Sequence, residues 1–276
     1  MSTRESDPVS ALSAPKDQWT SGDAYEIWMG RWSRLLAVEF LPWLEVPPGA
    51  RWLDVCCGGG VLSDEIAARC APALVLGVDR SPAQLAFARQ RHARAGICFH
   101  RGDAAALAFR DARFDASVCG LGLNFIPQPV AALTEMRRVV RPGGVVAVYV
   151  WDYSGEMRFL REFWDVAMAV DPEAADFDQG RRFAVCSPQG LRAAFSAAGL
   201  QPAVQRNLDI TTRFSSFDDY WAPFLLRQGS APVYLASRSE GIREAIRERL
   251  RAALPANSDG SITLNARALA IRALRP

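Results

Sequence analysis

The chain has 276 residues, half of them apolar and 22% charged, with a formal net charge of +2. That is enough apolar material for one large α/β domain, or a core domain with a modest cap. A charge so near neutral argues against a nucleic-acid binder, which needs a basic field, and no run of about 18 apolar residues offers a membrane span.

Residues 1–18, rich in Ser, Pro and charge, read as a disordered leader, and residues 19–276 as a single domain. No apolar stretch follows the charged start as a secretory signal requires, so the expected location is the cytoplasm. Between Trp19 and Leu44, apolar and aromatic residues recur at spacings of three and four, the period of an amphipathic helix. Pro47-Pro48-Gly49 interrupts it. Strands and helices then alternate, which implies a parallel sheet covered on both faces.

Strands are predicted at Arg51–Cys56, Leu74–Asp79, Cys98–Arg101, Phe114–Cys119 and Val145–Trp151. Between them lie helices at Val61–Cys70, from Ser81-Pro82 onward, and at Val130–Val140. Ser81-Pro82 and Ser187-Pro188 each put a capping hydroxyl before a proline, whose missing N–H does no harm in a first helical turn. The helix after Ser187 runs to Ala198, with Gly199 as its left-handed stop. Ala203–Thr211 and Ser261–Ile271 read as the sixth and seventh strands, with helices at Phe217–Arg227 and Glu240–Leu254 between them.

Six cysteines, at 56, 57, 70, 98, 119 and 186, show no paired metal-ligand spacing, so reduced thiols and no metal are expected. The informative stretch is Trp52-Leu53-Asp54-Val55-Cys56-Cys57-Gly58-Gly59-Gly60, a buried strand running into a glycine-rich turn and then a helix. Glycines let the backbone turn sharply and approach a ligand, and the helix start offers free N–H groups. Asp79 ends the second strand, where an acid can accept both hydroxyls of a ribose. On these residues alone the pattern means a nucleoside cofactor, and Gly58-x-Gly60-x-x-Ser63 is a passable dinucleotide fingerprint as well.

The later motifs carry a resemblance. The sequence is similar to class I S-adenosylmethionine-dependent methyltransferases of the bacterial group related to the ubiquinone and menaquinone methylases. Leu53 to Gly60 aligns with that family's first motif, and Gly77-Val78-Asp79-Arg80-Ser81 looks like its second. Gly102-Asp103-Ala104 resembles the adenine-binding motif, and Phe114-Asp115-Ala116 through Asn124 and Pro127 the fourth. Arg137 to Gly144 matches the Arg-Val-Leu-Lys-Pro-Gly-Gly that precedes the fifth strand, and Tyr25 to Ser33 is similar to a segment of one branch.

The resemblance implies a Rossmann-like, seven-stranded mixed sheet with the last strand antiparallel, helices on both faces, and a small helical cap from about 19–46, 152–186 and 212–257. It implies S-adenosylmethionine as cofactor and S-adenosylhomocysteine as product. By carry-over Asp54 fixes the loop near the methionine moiety, and Gly58 and Gly60 let the backbone approach it. Asp79 holds the ribose with Arg80 beside it, and Asp103 and Ala104 take the adenine. Gly120 and Leu121 line the methyl-donor end, and Tyr25, Met29 and Arg31 close over the cofactor. Cys56 is the departure: it stands where the family has the first glycine of the loop, so its side chain must point away from the cofactor or crowd it.

Methyl transfer from a sulfonium is an in-line displacement that needs positioning and no metal. A base is needed only if the nucleophile carries a proton at neutral pH. His92 reads as a surface position and His100 as part of the third strand, so Asp152 and Tyr153, just beyond the fifth strand, are the better catalytic candidates. Phe159, Phe163, Trp164, Phe177, Phe183, Tyr220, Trp221, Phe224 and Tyr234 suit either an apolar pocket or the packing of cap helices. Arg181-Arg182 and the charge-balanced helix at 240–251 read as solvated.

The reading is therefore methylation of an O, N or C atom of a small, apolar or aromatic metabolite, in secondary metabolism, by a monomer or homodimer with no nucleic-acid or membrane partner. The alternatives are a cofactor-binding protein of the same fold without methyl transfer (a cyclase or binding module), which Cys56 alone supports, and a nicotinamide-dependent oxidoreductase.

Overall fold

The structure, a computed structural model, describes residues 29–92, 96–226 and 229–276. The leader, Tyr25 and the first part of the N-terminal aromatic segment lie outside the described residues. Among the described residues seven strands form one sheet: β1 (Arg51–Val55), β2 (Leu74–Asp79), β3 (Ile97–Arg101), β4 (Phe114–Gly120), β5 (Val140–Trp151), β6 (Ala203–Phe214) and β7 (Ile262–Leu274). Their order is β3-β2-β1-β4-β5-β7-β6. The first five are parallel, and β7 runs antiparallel to both β5 and β6. This is the Rossmann-like mixed sheet with an antiparallel last strand. Its central strands are apolar because both faces are covered; Val146 to Val150 of β5 are buried without a break.

Helices α1 (Arg31–Trp43), α2 (Val61–Arg69), α3 (Pro82–Arg91) and α4 (Pro129–Val139) alternate with these strands. Ser81 caps α3 by accepting the Gln84 N–H at 3.3 Å. Ser187 caps α7 (Pro188–Ala197), taking the Gly190 N–H at 3.0 Å, and Gly199 ends it at φ +69°. Three strands outrun their expected bounds, β7 reaching Leu274 rather than Ile271. β5 begins at Val140 because Gly143 and Gly144 exchange backbone hydrogen bonds with Arg275, and β6 continues to Phe214 because every residue of it finds a partner on β7.

Segments 152–186 and 212–257 form the cap: α5 (Arg158–Val170), α6 (Gln179–Arg182), α8 (Phe217–Trp221), α9 (Ser230–Ala236) and α10 (Glu240–Ala253). Their aromatics pack mainly on one another. Phe163 stacks on Phe224 at 4.5 Å, and Phe159 on Phe214 at 5.4 Å. The buried polar tips are satisfied: Tyr220 Oη donates to the Phe159 carbonyl at 3.0 Å and Trp164 Nε1 to Gln179 Oε1 at 2.7 Å. Of the two readings for these rings, packing describes them. Arg161 forks onto buried Asp178 at 2.9 and 3.2 Å and ties α5 to α6.

The β1–α2 turn carries an unusual distribution of glycine. Cys56 adopts φ +57°, a left-handed conformation that costs a residue with a Cβ roughly 1 kcal/mol or more. The turn keeps its glycine-type geometry without glycine, and the space problem passes to a neighbouring loop. A Cβ added at Gly122 would lie 2.5 Å from the Cys56 Cβ and 3.1 Å from Cys119 Sγ. Gly122 itself has φ −104°, which any residue tolerates, so only the collision forbids a side chain there.

Gly122→Ala should therefore destabilise the fold by about 1–3 kcal/mol, as overpacking does, while Cys56→Gly alone stays within about 1 kcal/mol of wild type as relieved strain offsets lost packing. Combining them should restore most of the Gly122→Ala loss, a coupling of about 1 kcal/mol or more in thermal or urea unfolding. Simple additivity would mean that the two Cβ positions do not compete.

Candidate functional site

Open parallel sheets bind ligands at the carboxyl ends of their strands, where the βα turns diverge. Here that edge carries a cleft of about 810 Å³, within the roughly 300–1,000 Å³ typical of small-molecule sites. It is walled by the β1–α2 turn, the tips of β2 and β3, and the loop after β4.

Asp79, the last residue of β2, organises one end. Its Oδ2 accepts the Gly58 N–H at 2.9 Å and its Oδ1 the Ser81 N–H at 2.8 Å. Each carboxylate oxygen has a further lone pair, so the clamp leaves acceptors for two ligand hydroxyls. Gly58 stands at φ +50° with open space where a Cβ would be, as a backbone facing a ligand requires. Arg80, Asp103 and Ala104 also line the cleft, and Asp103 Oδ1 holds the Ala105 N–H at 2.9 Å.

Asp54, on β1, lies deeper. Its side chain is 1% exposed; Oδ2 accepts the Ser63 hydroxyl at 2.6 Å and Oδ1 has no partner among the described residues. Burial, aided by the nearby Asp79 charge and opposed by the Ser63 hydrogen bond, pushes this carboxyl up to about 7. A buried, half-satisfied carboxyl at a cleft wall is one that a cationic ligand group would stabilise in its charged form. The Cys57 thiol is pushed well up by burial and by the Asp54 and Asp79 carboxylates, and stays neutral.

Of the residues singled out in the sequence, Asp54, Cys56, Gly58, Asp79, Arg80, Asp103, Ala104, Gly120 and Leu121 all line this one cleft. Five others do not. Gly60, at φ +84°, faces Phe99 and His92; a Cβ there would lie 2.9 Å from the Phe99 ring, so that glycine serves packing. Met29 is buried in the core, and Arg31 lies over the Trp32 and Phe214 rings and pairs with Asp219 at 3.5 Å. Asp152 closes a turn, its Oδ2 taking the Glu156 N–H at 3.0 Å. Tyr153 packs on Phe183, which in turn meets Phe125 at the cleft wall.

His92 does not occupy the surface position expected of it. It is buried, with Nδ1 3.4 Å from Asp64, and burial lowers its pKa. His100 is exposed on β3, and neither histidine lines the cleft.

Sequence reasoning missed Ser33, Leu62, Gln84, Phe125, Ile126 and Tyr149, which also line the cleft. Leu62, Leu121, Phe125 and Ile126 give the end beyond Gly120 an apolar wall. Tyr149 was hidden in an apolar strand that reads as core; its signal is its register, directly beside Gly120.

The comparisons with known proteins agree with this geometry. A family profile described as a methyltransferase domain matches residues 53–148. The 2-phytyl-1,4-naphtoquinone methyltransferase of Synechocystis sp. is 35% identical over 154 residues, which span 53% of this chain and 64% of that enzyme. The enzyme of the same name from Synechococcus elongatus is 35% identical over 186 residues, 62% of this chain and 78% of that enzyme. Among solved structures, phosphoethanolamine N-methyltransferase 2 of Haemonchus contortus, in complex with S-adenosyl-L-methionine, shares the fold with a TM-score of 0.57 at 17% identity, covering 92% of this chain and 56% of that one. With the strand order, the glycine turn and the acid at the tip of β2 already in place, these likenesses settle the family: the chain belongs to the class I S-adenosylmethionine-dependent methyltransferases.

Proposed function

We propose that the chain transfers the methyl group of S-adenosylmethionine to an O, N or C atom of a small apolar or aromatic metabolite, releasing S-adenosylhomocysteine. The observation that carries this is the cleft's polarity gradient, from the Asp79 and Asp103 carboxylates at one end to the wall of Leu121, Phe125 and Ile126 at the other. The relatives named for a naphthoquinone substrate point to the same class of acceptor. The near-neutral charge speaks against nucleic acid. No described helix is long and apolar enough to cross a membrane, and six free cysteines suit a reducing cytoplasm. A monomer or homodimer fits this reading.

The residues present fit the cofactor. Asp79 keeps acceptors free for the ribose, Asp103 and Ala104 border the place for the adenine, and the orphaned Asp54 Oδ1 offers an anion to the methionine ammonium. When bound, S-adenosylmethionine supplies a methyl group already activated by its sulfonium charge. The chain's own contribution is position and desolvation: Leu62, Leu121 and Phe125 exclude water around the acceptor while the Asp79 clamp fixes the loop. With no histidine in the cleft, the favoured nucleophile is one that ionises easily, such as an acidic hydroxyl or an activated ring carbon.

Three measurements follow. Incubation with S-adenosylmethionine and a panel of hydroxylated aromatics should yield methylated product by mass spectrometry. If only polar or polymeric acceptors react, the apolar assignment fails. Asp79→Ala should weaken S-adenosylhomocysteine binding at least tenfold in calorimetry, the expected loss for hydrogen bonds to a charged group at about 1.5–3 kcal/mol each. Unchanged affinity would remove Asp79 from the site.

The third concerns Asp54. Its carboxyl is raised in the fold from 3.8 to about 7, so between those values the native state binds more protons than the unfolded chain and stability declines as pH rises. Relative to Asp54→Asn, the wild type should lose up to about 4 kcal/mol from pH 4 to 8 in urea unfolding. A constant difference between the two proteins across that range would show that Asp54 ionises normally.

A further inference from the structure

Asp79 and Asp103 mark the tips of β2 and β3, and strands lie about 5 Å apart. Moving from β2 through β1 to β4 therefore covers about 10 Å, from the ribose end of the cleft to its far end. Asp54, Val118, Gly120, Ala147 and Tyr149 share one face of the sheet there, because Asp54 pairs with Val118, Val118 with Ala147, and Gly120 with Tyr149.

Tyr149 reaches back along this row. A Cβ placed on Gly120 would lie 2.5 Å from Tyr149 Oη, 2.7 Å from its Cζ and 3.1 Å from Leu62 Cδ2. The phenol thus lies across the bare Gly120 backbone, and its hydroxyl stands over β4, toward Leu62 and β1. Phe40 holds the ring edge-on at 4.7 Å, and the Tyr149 carbonyl accepts the Leu121 N–H at 2.8 Å, so ring and backbone are both fixed. Tyr149 is 2% exposed, yet it borders the cleft. Ser33, from the first turn of α1, borders it too, as does Asp54 with its orphaned Oδ1.

We propose that Tyr149 is a positioning residue for the amino-acid end of the cofactor, its hydroxyl hydrogen-bonding the charged methionine moiety beside Asp54. A phenol suits the task because it donates to a carboxylate or accepts from an ammonium without adding charge. Gly120 is bare for the same reason: its missing side chain is the space that the hydroxyl occupies. Asp54 and Tyr149 then fix the amino-acid tail from two sides, which keeps the sulfur from sliding along the cleft.

The test compares S-adenosylhomocysteine with 5′-methylthioadenosine, which keeps adenine, ribose and sulfur but lacks the amino acid. Tyr149→Phe retains the ring and its packing on Phe40. Calorimetric titration should show S-adenosylhomocysteine affinity falling about tenfold, the scale of one hydrogen bond to a charged group, with 5′-methylthioadenosine affinity unchanged. Equal losses for both ligands would make the effect a general disturbance of the cleft and overturn the proposal. No loss for either would overturn it too. Failure of wild-type protein to bind S-adenosylhomocysteine would instead strike the cofactor assignment, a different result from either.

Discussion

The cleft depends on the carboxylate of Asp79 being held between two backbone N–H groups, those of Gly58 and Ser81. These belong to different turns, one leaving β1 and one leaving β2, so a single side chain fixes the relative height of both. The Asp79 backbone extends the tie to a third strand, its carbonyl accepting the Gly102 N–H at 3.0 Å. Hydrogen bonds to a charged acceptor contribute about 1.5–3 kcal/mol each, enough to hold a glycine-rich turn that has little side-chain packing of its own. The ligand then meets a turn whose ordering entropy is already spent.

How much of this was legible in the sequence follows from how local each feature is. The alternation of strand and helix, the serine-proline caps and the acid after the second strand are set by short-range chemistry and stand where the sequence places them, whereas the ends of β5, β6 and β7 are set by cross-strand pairing. That residues at the β1 to β4 tips meet in one cleft was legible because strand-end positions in a parallel sheet share one edge. Tyr149, Ser33 and Phe125 were not, because each reaches the cleft through a register or packing angle that neighbouring residues do not encode. Asp152 and Tyr153 leave the same edge of the sheet, but the chain turns immediately, and Asp152 accepts a backbone N–H within that turn.

The cap shows why aromatic content alone says little about a binding site. Its rings are the means by which α5 packs on β7, α8 on β6 and α9 on α5. Their polar tips are spent internally, and the Arg161–Asp178 pair is screened from water on both sides. A buried pair of this kind adds little net stability but is costly to break, so it fixes where α5 and α6 sit. The cap rings reach the cleft wall through Phe183, which packs edge-on against Phe125.

Cys56 joins these points. A glycine at that position would allow the left-handed turn at no steric cost, and here the turn survives with a cysteine because the surroundings over-determine it. The Cys57 N–H is held by the Val78 carbonyl at 3.1 Å, and the Gly60 N–H by the Cys57 carbonyl at 2.8 Å. With the following residues pinned and Gly58 anchored on Asp79, the backbone at 56 has no other path. The requirement for glycine is displaced rather than removed: it reappears at Gly122, in a loop distant in sequence, as the space into which the Cys56 Cβ projects. A turn that departs from its family pattern at one residue can thus keep its geometry, and with it the cleft, because the compensation lies across the sheet and not within the motif.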